Sequence, residues 1–382
     1  MKLLLLSFIA IHLIGCLEAE HTVSEYGQKS QSSQTSSTVD FDELHKLVQK
    51  EREAVMSFDY TPARLSKALR SASLLLVKRL PTPEEEAEAI TGLSGYEAVV
   101  SSYLESEDFK AVMLEYFQND FNMAGFVDAV NYNEPANLIT YLIVNNEDYR
   151  QSITANFCVN DDFEKVECST FKGNLKAAQE EAAGVLTTQA FLKKWESAFN
   201  FIRVREAFAR FACRSGQAYP DEQDVGHPVE DISDRVKTFN DRKEGCFNCH
   251  KSMNARASLF YRFDRNGFYN LNPSQDPDDG EITVTDTGEV STIRDLLNDG
   301  VEPLYHGKPL KSVRDYAVRF SKKSHFRDCI AQRFTNFALG RSYDEPLPKD
   351  LIYLNERVDA HDFKIKPLLL DILKSKRFVM SL

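Results

Sequence analysis

The stretch Lys243 to Ser252, KEGCFNCHKS, sets two cysteines two residues apart with a histidine directly after the second. Three chemistries use such a pair, and each brings its own structural setting. A structural zinc site needs four ligands, usually two such pairs or a pair with two nearby histidines. Here the other cysteines are solitary and the histidines scattered. A redox dithiol of the thioredoxin kind follows a strand in a βαβ unit. The segment before Cys246 instead reads as helix, with Ile232, Val236 and Phe239 at i, i+4 and i+7 and charged residues between them, until Gly245 releases the chain. The third reading is the attachment signature of c-type haem, Cys-x-x-Cys-His. Two thiols at this spacing reach the two vinyl groups of one porphyrin and form thioethers. The adjacent His250 is then delivered to the iron as proximal ligand. The spacing therefore predicts one covalent haem c on Cys246 and Cys249, in a helical setting.

Haem attachment of this kind takes place outside the cytoplasm, and the start of the chain agrees. Met1-Lys2 is a short positive segment, and Leu3 to Ile14 is an apolar run too short to span a bilayer comfortably. It ends in Leu13-Ile14-Gly15-Cys16. An aliphatic residue, a small one and a cysteine at the end of a signal resemble the bacterial lipobox, which implies a signal peptide over 1–15 and acylation of Cys16. The alternative is an ordinary signal whose cleavage site carries a cysteine. Each buried methylene of an acyl chain contributes roughly 0.8 kcal/mol of membrane affinity, so a multiply acylated Cys16 would hold the chain to a bilayer. Residues 16–39, rich in Ser, Gln and Thr, have no apolar periodicity and read as a disordered tether. The expected location is the bacterial cell envelope, lipid-anchored, facing the periplasm or the cell surface.

Seven cysteines are present. With Cys16 given to lipid and Cys246 and Cys249 to haem, four remain, an even number, as an exported chain favours. Three pairings of four are possible. The short polar stretch between Cys158 and Cys168 favours a small closed loop, which leaves Cys213 to join Cys329.

The body reads as helix upon helix. Asp40 can cap a helix through Val48, and Thr61-Pro62 and Thr82-Pro83 each open a helix with proline where no amide is needed. Further helical patterns run over 96–104, 109–117, 137–144 and 173–183, with one long helix over 188–213. Arg203, Arg205 and Arg210 on that last helix could meet haem propionates or form a solvated face. The polar break GQAYPDEQDVGHP (216–228) marks the domain boundary, giving a helical domain over 40–214 and a cytochrome c-like haem domain over 215–382. Ile282-Thr283-Val284 and Glu289-Val290 predict a short hairpin, Asp276, Asp278 and Gly280 a turn, and residues from Val313 onward a return to helices. The expected fold is mainly α with at most a short β-hairpin.

Beyond the haem motif, Phe263-Asp264-Arg265-Asn266-Gly267-Phe268-Tyr269, Ala338-Leu339-Gly340-Arg341 and the final Ser375 to Phe378 resemble the planctomycete-type cytochrome c-like secreted proteins. Upstream, LLLVKRLPTPEE, NLITYLIVNNEDYRQSITANFCVN and AGVLTTQAFLKKW are similar to the helical N-terminal portions of the same family. The resemblance covers most of 74–378 and implies haem binding, export and a helical fold. Its usual aspartate-proline-x-glycine after the haem motif is replaced here by Asn254-Ala255-Arg256-Ala257.

The sixth iron ligand decides between electron transfer and small-ligand chemistry. Met253 lies too close to His250 to cross to the other haem face. His306 is the favoured distal ligand, with His325 and Met380 as other candidates. The leading functional reading is a monohaem protein that passes single electrons to a redox partner protein. The alternatives are a haem enzyme with an open sixth site, of peroxidase or oxidase type, and a lipid-tethered helical scaffold with structural or sensory haem. A net charge of −12 argues against a nucleic-acid surface.

Overall fold

The computed structural model describes residues 59–196, 200–213, 253, 256–271, 282–283, 290–291, 303–305 and 308–380. The expected signal peptide, tether, first helix after Asp40, 232–239 helix and 276–280 turn lie outside these residues.

Thr61-Pro62 opens α1 (Pro62–Val77), whose Leu65, Ala68, Leu69, Ala72 and Leu76 are fully buried along one stripe. Thr82 caps α2 (Pro83–Ala89) with a complete capping box, its hydroxyl accepting from the Glu85 amide while the Glu85 carboxylate accepts from the Thr82 amide. Glu85 also takes two bonds from Arg79, at 2.6 and 2.8 Å, and one from the Tyr103 hydroxyl at 2.8 Å. The Arg79 pairing foremost holds its carboxyl down to about 2. Then follow α3 (Leu93–Leu104) and α4 (Glu107–Phe121), the latter capped by Ser106. A tight hairpin of β1 (Phe126–Val127) and β2 (Val130–Asn131) leads into α5 (Glu134–Val144). Nine residues of α5 are buried, including both polar and apolar faces, so it runs through the interior.

After the single turn α6 (Gln151–Thr154), the strands β3 (Cys158–Val159) and β4 (Lys165–Val166) pair, followed by α7 (Leu175–Glu181), α8 (Gln189–Lys194) and α9 (Phe201–Phe211). The long helix expected over 188–213 is therefore broken. Arg203 explains the break: from α9 it reaches back to donate to the Leu192 carbonyl twice, at 2.8 and 3.0 Å, and to Asn200 Oδ1 at 2.8 Å. Asn200 takes a left-handed φ of 60°, a conformation asparagine tolerates better than most residues.

The strands β5 (Ile282–Thr283) and β6 (Val290–Ser291) pair as the predicted hairpin, one residue out of the expected span. Next come β7 (Leu304–Tyr305), β8 (Lys308–Pro309), α10 (Val313–Phe320), α11 (Ser324–Ala338), α12 (Leu354–Ala360), α13 (Ile365–Leu373) and α14 (Lys376–Met380). Gly340, at φ 64°, ends α11 with the Arg341 amide donating to the Asn336 carbonyl at 2.8 Å. Ser375 caps α14 by accepting from the Phe378 amide at 3.3 Å. The described fold is thus mainly α, with its strands confined to two-residue ladders.

The last helices close against the first. α14 packs on α1 and α13 on α3. The Tyr60 and Tyr96 hydroxyls donate to the carbonyls of Lys374 and Leu373, at 2.8 and 3.0 Å. The described residues all fall within one unit, Ser57–Leu382.

Candidate functional site

Cys16, Cys246, Cys249, His250 and His306 lie outside the described residues. The cysteines come first. Cys158 pairs with Cys168, Cα atoms 4.9 Å apart, clasping the β3–β4 hairpin, and Cys213 pairs with Cys329, Cα atoms 5.2 Å apart, tying the end of α9 to α11. Both pairings are those favoured from the sequence. The second closes a loop between residues 116 apart, within which Cys246, Cys249, His250 and His306 all fall. No described cysteine remains to pair with Cys246 or Cys249.

Downstream of the motif, the chain packs tightly. Ala257, Leu259, Phe260 and Phe263 are buried, and Met253 rests half-buried against the core. Arg256 is 1% exposed, and its guanidinium lies over three rings: Phe208 of α9 at 4.9 Å, Tyr305 of β7 at 5.5 Å and Tyr316 of α10 at 5.4 Å. Tyr305 meets Tyr316 edge-on at 5.4 Å and carries Lys323 over its face at 5.6 Å. Arg256 follows His250 by six residues and Tyr305 directly precedes His306. The sequence neighbours of the two candidate axial histidines are therefore in contact. Of the other distal candidates, Met380 is 54% exposed at the end of α14, and His325 is half-buried in the first turn of α11.

The three arginines of α9 each make contacts among the described residues. Arg203, 1% exposed, also donates to the carbonyls of Phe263 and Asp264, at 2.9 and 2.7 Å, so it latches the post-motif segment to α8 and α9. Arg210 pairs with Glu206 at 3.3 Å and donates to the Tyr343 hydroxyl at 3.0 Å. Arg205 pairs with Glu206 at 3.0 Å. Beside them Arg333 and Asp120, 2% and 4% exposed, form a buried ion pair at 2.8 Å.

The turn at 263–269 is a docking device. Asp264 Oδ1 accepts from the amides of Asn266 and Phe268, at 2.9 and 2.7 Å, and Gly267 at φ 77° lets the chain reverse. A Cβ on Gly267 would stand 2.6 Å from the Gln189 carbonyl oxygen, so glycine permits this approach to α8. Gln189 Nε2 donates to the Asn266 carbonyl at 3.1 Å, and the Tyr269 amide to Thr170 at 2.8 Å.

Behind this turn sits a carboxyl that the sequence reading did not single out. Glu134 is buried, and burial pushes its carboxyl up to about 7 against the pull of the Ala190 amide and the Ser169 hydroxyl. Ser169 Oγ lies 3.3 Å from Glu134 Oε1 and 3.0 Å from Gln189 Oε1, both acceptors when the acid is ionised. One hydroxyl proton serves only one of them. A neutral Glu134 can donate to Ser169, which then donates to Gln189. Nearby, Asp161 Oδ1 accepts from Asn137, Asn131 and Asn133, at 2.8, 3.0 and 3.2 Å. Burial alone would raise its carboxyl, but these donors bring it below the usual range. Asn133 and Asn131 each use their Oδ1 to accept from a backbone amide, which fixes their NH2 groups toward Asp161. The cluster thus cradles an anion and offers no oxygen cage for a cation.

Among the described residues no group of three or more His, Cys, Asp or Glu side chains could hold a metal ion, and no helix is long and apolar enough to cross a membrane. No family model, no curated protein and no solved structure matches the chain.

Proposed function

We propose that the chain is a monohaem c-type cytochrome-like protein of the cell envelope that passes single electrons to and from a redox partner protein. The observation that carries this reading is the partition of the cysteines: the four described ones pair with one another. That leaves the thiols of Cys246 and Cys249, followed by the imidazole of His250, as a donor set that fits covalent haem and neither a zinc tetrad nor a longer disulfide framework. Disulfides persist in oxidising compartments, where haem attachment also takes place, which favours export.

In this reading Cys246 and Cys249 tether the porphyrin and His250 binds the iron from one side. His306 is the favoured sixth ligand, supported by the packing of Arg256 on Tyr305. Bound haem supplies a one-electron couple whose potential follows ligand and burial. The buried aromatic residues around Arg256 supply an apolar, water-excluding wall, and Cys16 supplies a lipid anchor.

The test is an alkaline pyridine haemochrome assay on protein matured in cells competent for cytochrome c maturation. It is accompanied by optical spectra of the oxidised, reduced and carbon monoxide-treated reduced protein. One haem c per chain with sharp reduced bands indifferent to carbon monoxide is the expected result. A large carbon monoxide shift would favour an open-site enzyme, and absence of haem would sink the reading.

A further inference from the structure

We propose that Asn266 is a modification site: its side-chain amide converts spontaneously to aspartyl and isoaspartyl forms, and the clasp of the 263–269 turn on α8 holds that conversion shut. Asn266-Gly267 is the only Asn-Gly step in the chain. Asparagine followed by glycine is the pair most open to this reaction, because glycine has no side chain to keep its nitrogen from the asparagine Cγ. Asn266 is exposed on the turn, and the side chain of Arg265 before it is 66% exposed, so water reaches the step.

The chemistry needs only water. The Gly267 nitrogen attacks Asn266 Cγ and passes its proton, through water, to the departing nitrogen. An N–Cγ bond forms, the Cγ–Nδ2 bond breaks, and ammonia leaves a cyclic imide. Water then opens the ring. Opening at the side-chain carbonyl gives aspartate; opening at the main-chain carbonyl gives isoaspartate, whose backbone is longer by a methylene. Nothing is oxidised or reduced.

In the folded turn both reacting groups are tied down. The Gly267 amide donates to the Asp264 carbonyl at 3.1 Å, and buried Arg203 holds that same carbonyl at 2.7 Å. The Asn266 amide donates to Asp264 Oδ1 at 2.9 Å, and the Asn266 carbonyl accepts from Gln189 Nε2 at 3.1 Å. Gly267 sits at φ 77°, with the Gln189 carbonyl oxygen 2.6 Å from where a Cβ would stand, so the backbone has little room to swing toward the side chain. An amide proton held by a carbonyl is given up reluctantly. Attack therefore waits for the turn to leave α8, a local opening that costs less than unfolding the whole chain. Conversion also has a consequence. The additional methylene of isoaspartate falls beside that close approach, so the converted turn no longer fits against α8.

The experiment incubates the full chain in mildly alkaline buffer and follows the peptide bearing Asn266 by mass and by an isoaspartate assay. Q189M, Q189A and T82A, each checked for fold by circular dichroism, are treated in parallel, as is the wild type in urea. Met keeps the stem and bulk of Gln189 and removes its donor, so Q189M carries the comparison if Q189A does not fold. Loss of one hydrogen bond shifts the opening equilibrium about fivefold, and the folded Gln189 variants are expected to convert about fivefold faster than the wild type. T82A weakens a helix cap that does not touch the turn and is expected to stay within about twofold of the wild type. The wild type in urea is expected to convert fastest. Equal rates in Q189M and the wild type overturn the gate. So does T82A converting as fast as Q189M, which would assign the opening to global unfolding. No conversion at Asn266 in urea overturns the site itself. The converted fraction, isolated by ion exchange, is expected to unfold at lower urea than the unmodified chain, and an unchanged midpoint overturns the release of the turn.

Discussion

Glu134 shows what one buried carboxyl imposes on its neighbours. Its folded value of about 7 lies above the ordinary 4.5, so its contribution to stability is complete below about pH 4.5 and is lost as pH rises through 7. The difference corresponds to roughly 3 kcal/mol. Wild-type stability is expected to fall by up to that amount between pH 4.5 and 7.5 on account of this group. Glu134→Gln, which can still accept and donate, removes that slope, and urea unfolding at stepped pH reads it. A slope equal in the two proteins contradicts the assignment. Asp120 poses the opposite case, a charge whose loss strands its partner. Asp120→Asn leaves Arg333 buried without its carboxylate and is expected to destabilise by about 3–5 kcal/mol, measured by the same unfolding. Neither role is visible in the sequence. Glu134 stands at a helix start, where an acid is a common choice, and only burial by residues 35 to 56 positions away distinguishes it.

At the scale of elements, local chemistry was the readable part. The proline that opens α1 after Thr61, the Thr82 capping box with Glu85, and Gly340 after α11 announce helix ends through chemistry that acts within five residues. Thr82→Ala is therefore expected to cost about 1 kcal/mol in thermal or urea unfolding. The α8–α9 break was not readable, because it depends on Arg203 folding back onto Leu192 while also holding the 263–264 segment. The aromatic-aspartate-glycine turn was legible as a turn, but not as a clasp. Its partner, Gln189, lies 77 residues from Asn266. Gly267→Ala meets both a left-handed φ and the Gln189 carbonyl, and is expected to lower stability by at least about 1 kcal/mol. An unfolding midpoint equal to wild type would contradict that clasp. Arg256 escaped for a similar reason: an arginine in a polar stretch reads as surface until Phe208, Tyr305 and Tyr316 are folded around it.

At the scale of the molecule, the two disulfides differ in what they constrain. Cys158–Cys168 closes a separation of 10 residues and Cys213–Cys329 one of 116. In the chain-entropy account, these correspond to about 3 and about 5 kcal/mol. Replacing Cys213 and Cys329 by serine is expected to lower stability more than replacing Cys158 and Cys168, in unfolding of the paired double variants. The mainly helical class was legible from periodicity, and the pairing of four cysteines from their spacing. The joining of the last helices to the first was not, because Tyr60 and Lys374 are 314 residues apart and nothing local marks their meeting. The loop closed by the long disulfide contains Cys246, Cys249 and His250. The most direct measurement is the pyridine haemochrome spectrum of the chain matured in cytochrome c-competent cells, beside Cys246→Ser/Cys249→Ser prepared in the same way. The account predicts one covalently held haem per chain in the wild type and none in the double variant. A wild-type protein that matures without haem, or a double variant that retains it covalently, would contradict the account.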